Sequence, residues 1–125
     1  NAAASDGILT AEEVAALNLQ GARWVVLSAC DTGIGEIRSG EGVFGLRRAF
    51  QVAGARTIIM SLWSVEDRSA VQWMRALYEA RLLGGYGTAE SVRSAAAHVV
   101  EARRSARLST HPFYWGGFVA AGDWQ

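Results

Sequence analysis

The pattern of hydrophobic and polar positions divides the chain into strands and helices. Two short unbroken apolar runs, 24–27 and 57–60, are rich in β-branched and aromatic residues, which is typical of strands buried on both faces of a parallel sheet. A third run at 118–122 predicts another strand.

Around these strands, apolar positions recur at the three- and four-residue spacing of amphipathic helices. The spacing predicts helices over 6–19, 43–52, 68–83 and from 88 to 102, the last fraying into the arginine-rich 103–107. Thr10 and Thr88 are predicted N-caps, and Gly54 a predicted C-cap. The order helix, strand, helix, strand, helix, helix, strand predicts an α/β layered domain with a parallel sheet.

Three strands make a thin sheet for a doubly wound domain, and the first two both have the composition of central strands. At least one sheet edge is therefore expected to lack its neighbours. We expect residues 6–125 to be the C-terminal part of a larger domain, and residues 1–5 to be a cloning remnant or a disordered start.

Composition narrows the classes of function. The chain has 125 residues, half of them hydrophobic, which excludes intrinsic disorder. Twelve arginines balance twelve acids, so no net positive charge favours nucleic acid or an anionic membrane as a partner. No apolar run has the length of a membrane span, and no signal peptide is expected. The single cysteine excludes an internal disulfide framework, and we predict a cytoplasmic protein without a cofactor.

Cys30 is the first candidate for chemistry. It comes directly after the first predicted strand, at the carboxyl end of the sheet, where open α/β folds place their ligand crevices. Four glycines follow within 31–42, and backbone N–H groups there could stabilise a thiolate and an oxyanion. A lone cysteine is more often inert packing, but this position favours a nucleophile. The glycines fit neither a dinucleotide fingerprint nor a phosphate-binding P-loop.

A nucleophilic thiol needs a general base, and the chain has two histidines. His98 falls in the middle of a predicted helix, and His111 precedes Pro112 in an aromatic segment. Both are interpreted as structural residues. The sequence therefore offers a nucleophile without an evident base.

Acidic and aromatic residues follow the second predicted strand, at the same rim of the sheet as Cys30. Glu66 and Asp67 could cap the next helix or bind a cationic substrate group, preferably a guanidinium. Trp63 could form a wall of a peptide-binding cleft or belong to the core.

Six separated blocks, taken in order, resemble the C-terminal half of a CHAT domain, a caspase-like peptidase domain often found after tetratricopeptide repeats. Together they span nearly the whole chain, which is more specific than any single motif. The blocks are Asp-Gly-Ile-Leu-Thr-Ala-Glu-Glu at 6–13, Val-Val-Leu-Ser-Ala-Cys-Asp-Thr-Gly at 25–33, Gly-Glu-Gly-Val-Phe-Gly-Leu-Arg-Arg-Ala-Phe at 40–50, Ala-Gly-Ala-Arg at 53–56, Ser-Leu-Trp-Ser-Val-Glu-Asp at 61–67 and His-Pro-Phe-Tyr-Trp-Gly-Gly-Phe at 111–118.

The resemblance implies a three-layer caspase-hemoglobinase fold with a mostly parallel sheet, and a cysteine endopeptidase with a His-Cys dyad. Cys30 matches the family's nucleophile. The family's base lies in a His-Gly motif upstream of the nucleophile, and no histidine precedes Cys30 here. Neither His98 nor His111 matches that base. The resemblance therefore implies a partial domain that is inactive by itself.

The block at 61–67 also resembles the matching segment of separase, a related peptidase that cuts after arginine. By that likeness Asp67 is the candidate for the primary specificity pocket, and Asp31 is a weaker one.

The implied partners are a protein or peptide substrate, and an upstream tetratricopeptide-repeat region or a second chain that completes the sheet. Family members often serve bacterial defence or regulated proteolysis, and from this resemblance a bacterial setting is expected. The alternative is a non-catalytic signalling or scaffold module of the same fold.

Overall fold

The computed structural model describes residues 9–27 and 41–125, with the backbone alone for 41–44. Cys30 and Asp31 lie outside the described residues. The elements are, in chain order, α1 (Ala11–Ala15), β1 (Trp24–Leu27), α2 (Glu41–Ala53), β2 (Thr57–Ser61), α3 (Asp67–Leu82), α4 (Thr88–Ser105), a short 3₁₀ helix (Pro112–Tyr114) and β3 (Phe118–Gly122). This order confirms the mixed α/β fold class.

The three described strands form one sheet in the order β1-β2-β3. β1 and β2 are parallel, with Trp24 paired to Thr57. β3 is antiparallel to β2, and Ser61 at the end of β2 pairs with Phe118 at the start of β3. Two helices separate these strands, so the hairpin of α3 and α4 returns the chain to the carboxyl end of β2. A strand that starts there and pairs with β2 runs antiparallel to it, which agrees with the mostly parallel sheet that the family resemblance implies.

The sheet is the middle of three layers. Ile58 and Met60 of β2 pack with α1 and α2 on one face, while Ile59 packs with α3 and α4 on the other. This alternation explains the unbroken apolar run of β2, because both faces of the strand are covered. On the α3 side, the rings of Trp73 and Phe118 stack with centroids 4.3 Å apart.

The N-terminus of α1 and the C-terminus of α2 form where the local sequence predicts them. Thr10 caps α1 in a capping box with Glu13, and Gly54 ends α2 with a φ of +107°, as predicted. α1 ends at Ala15, four residues before the predicted end at 19. The Leu19 N–H donates outside the helix, to the carbonyl of Ala53 at 2.8 Å.

The predictions for both ends of α4 were wrong. Gly87 occupies the N-cap position, and Thr88 is the first helical residue. The hydroxyl of Thr88 is buried and accepts a hydrogen bond from Trp24 Nε1 at 2.9 Å, so it is engaged by β1. At the other end, Arg103 does not fray but is helical and buried.

Candidate functional site

The carboxyl ends of β1 and β2 define the rim at which the candidate site lies. Leu27 pairs with Met60, so the carboxyl ends of the two strands lie side by side. Cys30 and Asp31 belong to the segment after β1, which is outside the described residues. Their place at the rim remains a prediction from the strand that precedes them. The segment after β2, residues 62–66, is described.

Glu66 is the acid that caps α3. Its Oε2 accepts hydrogen bonds from the hydroxyl of Ser69 at 2.6 Å and from the Ser69 backbone N–H at 3.1 Å. The bond from the hydroxyl is the main cause that lowers the pKa of Glu66 below its ordinary value, and the backbone N–H and the charge of Arg103 act in the same direction. The capping interpretation is therefore correct for Glu66.

Asp67 is the first residue of α3 and is exposed. Within the described part of the chain, no hydrogen bond or ion pair reaches its carboxylate. Glu66 caps the helix, and none of the described residues engages the Asp67 carboxylate. Its role in specificity stays a prediction.

Trp63 is fixed at the surface. Its Nε1 donates to the carbonyl of Phe113 at 3.0 Å, and the two rings stack with centroids 6.4 Å apart and planes 13° apart. The residue is 36% exposed, so one part of the indole packs while another part faces solvent. It is not a fully buried core residue, and its contact with a substrate stays a prediction.

Gly117 allows the segment after β2 to approach the aromatic segment closely. The Leu62 N–H donates to the carbonyl of Gly117 at 2.7 Å. A Cβ at Gly117 would lie 2.8 Å from Cγ2 of Val65 and 3.1 Å from the indole of Trp63. Only glycine fits between these side chains without displacing them. The sequence prediction did not single out this residue, although two adjacent glycines after a cluster of aromatic residues were visible.

Arg103 connects four segments near the rim. Its guanidinium donates to the carbonyl of Ser109 and to Ser69 Oγ, the latter at 3.3 Å, and lies 3.7 Å from the carboxylate of Glu66. It also lies over the ring of Tyr114. The sequence prediction missed this role, but Arg103 continues the buried series Ala95 and Val99 at four-residue spacing. That spacing was the signal that could have identified it.

The two histidines differ in their surroundings. His111 caps the 3₁₀ helix, with its Nδ1 accepting from the Phe113 N–H at 3.1 Å, which fits a structural residue. His98 lies exposed on α4.

Over 9–27 and 41–125, no group of three or more His, Cys, Asp or Glu side chains is placed to hold a metal ion. No helix in these two ranges is both long and apolar enough to span a membrane.

Comparison with known proteins identifies the family to which the chain belongs. The model of the CHAT domain matches residues 1–123. The chain is 31% identical over 116 residues to mouse tetratricopeptide repeat protein 28, and 30% identical over 116 residues to the human protein of the same name. Each match covers 93% of this chain but only 4% of the relative. No solved structure matches significantly.

Proposed function

Because the chain belongs to the CHAT domain family, we propose that it is the nucleophile-bearing part of a cysteine endopeptidase and that Cys30 is the nucleophile. The observation that supports this most is the family match over 1–123, in which the Ser-Ala-Cys block directly follows β1. Because β1 ends at Leu27, we expect a cysteine three residues later to lie near the carboxyl end of the parallel strand pair, where α/β folds bind ligands.

The proposed reaction is covalent hydrolysis of a peptide bond. The Cys30 thiolate attacks the peptide carbonyl, the C–N bond breaks, and the leaving amine takes a proton from a histidine. Water, deprotonated by the same histidine, then attacks the thioester and regenerates the thiol. The resemblance to the family implies a base upstream of the nucleophile, and residues 1–29 contain no histidine, so we expect this histidine in polypeptide that precedes residue 1.

The segment after β2 would supply specificity. Trp63, Glu66 and Gly117 hold this segment in one conformation through side-chain and backbone contacts. Asp67 stands at its end with an exposed carboxylate that no described residue engages. A carboxylate held on a helix can pair with the planar guanidinium of an arginine before the cut. The finer proposal is therefore cleavage after arginine.

The test uses a longer polypeptide that includes the preceding strands and the expected histidine. It is assayed on peptides that differ only in the residue before the cut. Cys30→Ala should abolish cleavage, and Asp67→Ala should remove a preference for arginine while Glu79→Ala, another exposed acid on α3, leaves it unchanged. Cleavage that survives Cys30→Ala would refute the nucleophile, and an arginine preference that survives Asp67→Ala would refute the pocket.

A second candidate is a non-catalytic module that binds protein partners. It is favoured by the curated relatives, whose name refers to tetratricopeptide repeats and to no peptidase activity. The reactivity of Cys30 separates the two candidates. A peptidase thiol should be alkylated rapidly well below pH 8, because nearby donors stabilise its thiolate, whereas an inert thiol should titrate near its ordinary pKa of about 8.5.

A further inference from the structure

A second site is suggested by a cavity at the opposite end of the strands from the rim. The cavity measures about 290 Å³ and lies where β1 and β2 begin. Its lining includes three arginines, Arg23, Arg56 and Arg81, together with Trp24, Thr88 and Asp123. The strand length alone separates it from the rim by roughly 10 Å.

Arg23 and Arg56 precede neighbouring parallel strands at equivalent positions. The Thr57 N–H donates to the carbonyl of Arg23, and the Arg56 N–H donates to the carbonyl of Ala22, both at 3.1 Å. Like charges at adjacent positions of a sheet repel each other. In the described part of the chain, neither guanidinium has an ion-pair partner. Two adjacent arginines without a carboxylate partner are a favourable arrangement for an external anion.

Arg81 adds a third guanidinium that is already held in position. Its Nη1 donates to the carbonyl of Tyr86 at 2.8 Å, and its Cζ lies 5.2 Å from the ring centroid of Trp24. Trp24 is fixed in turn by its hydrogen bond to Thr88. Neither contact neutralises the charge of Arg81, and most of its five N–H donors remain available. Pre-organised donors lose less conformational entropy when an anion binds.

Among the described residues of the cavity lining, Asp123 alone has an acidic side chain. Its backbone N–H donates to the carbonyl of Arg56 at 3.1 Å, and its carboxylate accepts from the Gln125 N–H at 3.1 Å. No ion pair joins the side chains of Asp123 and Arg56, although both are described. The side chains of three arginines and one aspartate give the described lining a formal charge of plus two, and the terminal carboxylate of Gln125, which also lines the cavity, lowers it to plus one in the 125-residue chain. A ligand with several phosphate oxygens can accept hydrogen bonds from all three guanidinium groups, which a monatomic anion cannot do.

We propose that this cavity binds a soluble small molecule with a diphosphate group, held by Arg23, Arg56 and Arg81. Arginine suits this ligand because its planar fork pairs with phosphate oxygens in a bidentate manner. The site goes beyond the proposed peptidase and is independent of it. Because it lies at the other end of the strands, its ligand would not compete with a peptide for the rim.

The test is isothermal titration of the protein with inorganic pyrophosphate, with ionic strength matched by sodium chloride. We expect saturable binding of one pyrophosphate per chain and much weaker binding of orthophosphate. Arg56→Gln should weaken binding about tenfold or more, because it removes charge-assisted hydrogen bonds. Arg23→Gln should do the same, and neither exposed arginine has a described partner whose loss would unfold the chain.

Arg75→Gln is the matched control, because Arg75 is an exposed arginine of α3 that does not line the cavity. It should bind pyrophosphate as the wild type does. Thermal unfolding without ligand establishes that each variant is folded. The proposal is overturned if folded wild type gives no saturable binding, or if Arg75→Gln weakens binding as much as Arg56→Gln does. The second result would mean that pyrophosphate responds only to the overall charge.

Discussion

The guanidinium carbon of Arg103 lies 3.5 Å from the centroid of the Tyr114 ring. This cation–π contact joins the last turn of α4 to the 3₁₀ helix. The same guanidinium reaches Ser69 and Glu66 at the start of α3. One buried side chain thus connects the elements that hold the segment after β2 in position.

Arg103→Met should therefore destabilise the protein strongly. The substitution keeps much of the side-chain volume but removes the donors to Ser109 and Ser69 and the cation over Tyr114. We expect a loss of about 2 kcal/mol or more in the free energy of unfolding, measured by urea denaturation. Arg103→Lys should keep only part of the stability that Arg103→Met loses, because an ammonium group lacks the planar fork of a guanidinium.

Arg104→Met is the control for this prediction. Arg104 pairs with Glu101 at 3.0 Å, but both side chains are about two-thirds exposed. Such a pair contributes less than about 1 kcal/mol. Equal losses from the two substitutions would mean that the buried contacts of Arg103 add nothing to stability.

Glu66→Gln should remove a pH-dependent part of the stability. The pKa of Glu66 in the folded protein is lower than its ordinary value of 4.5. Its contribution is therefore complete above pH 4.5 and is lost as the pH falls through the folded value. At pH 7 the substitution should cost about 1 kcal/mol, since hydrogen bonds from Ser69 to a charged acceptor become bonds to a neutral one.

The measurement is urea unfolding of both proteins between pH 3 and pH 7. The difference in stability should stay constant from pH 7 to about pH 5.5 and shrink towards acid. Glu79→Gln, which changes an exposed acid on the same helix, should alter stability by no more than about 0.5 kcal/mol. A Glu66→Gln difference that grows as the pH falls would contradict the lowered pKa.

The distance in sequence between partners explains which helix ends could be predicted. Thr10 and Glu13 form a capping box three residues apart, so the local pattern identifies it. Thr88 has the residue type of a cap, but its hydroxyl bonds to Trp24, 64 positions away. A residue-by-residue pattern contains no information about such a partner. The strand runs 24–27 and 57–60 were predicted correctly because each is a continuous apolar run. The predicted burial holds for β2, whose residues 57–60 are buried, whereas all four residues of β1 are half-buried.

The candidate site could be predicted only in part for the same reason. The sequence placed Glu66, Asp67 and Trp63 directly after β2, and the structure has them there. Which acid caps α3 depends on the orientation of each side chain, and sequence alone left both open. Arg103 reaches Ser69 across 34 positions, so the contact that connects α4 to α3 was not visible as a motif.

Gly117→Ala should destabilise the protein and move Trp63. The added Cβ would lie 2.8 Å from Val65 and 3.1 Å from the indole, closer than carbon atoms normally approach. We expect a loss of about 1 to 3 kcal/mol, as for other overpacked positions. Gly45→Ala should instead stabilise the protein. A Cβ at this position in α2 meets nothing within 4 Å, and alanine favours a helix over glycine by up to about 1 kcal/mol. Urea unfolding of both variants tests the pair, and a stabilised Gly117→Ala would show that the contact is not tight.

Trp24→Phe should cost more than the loss of ring area alone. The Trp24 Nε1 donates to a buried hydroxyl at 2.9 Å, and without it Thr88 keeps only its 3.4 Å hydrogen bond to the carbonyl of Gln125. A buried polar group that loses its partner costs about 1 to 3 kcal/mol. Trp124→Phe removes the same atoms from a side chain that is 68% exposed, so its stability should change by less than about 0.5 kcal/mol. If urea unfolding gave the same small effect for both, the bond between β1 and α4 would contribute nothing measurable, and the buried position of Thr88 would have to depend on packing alone.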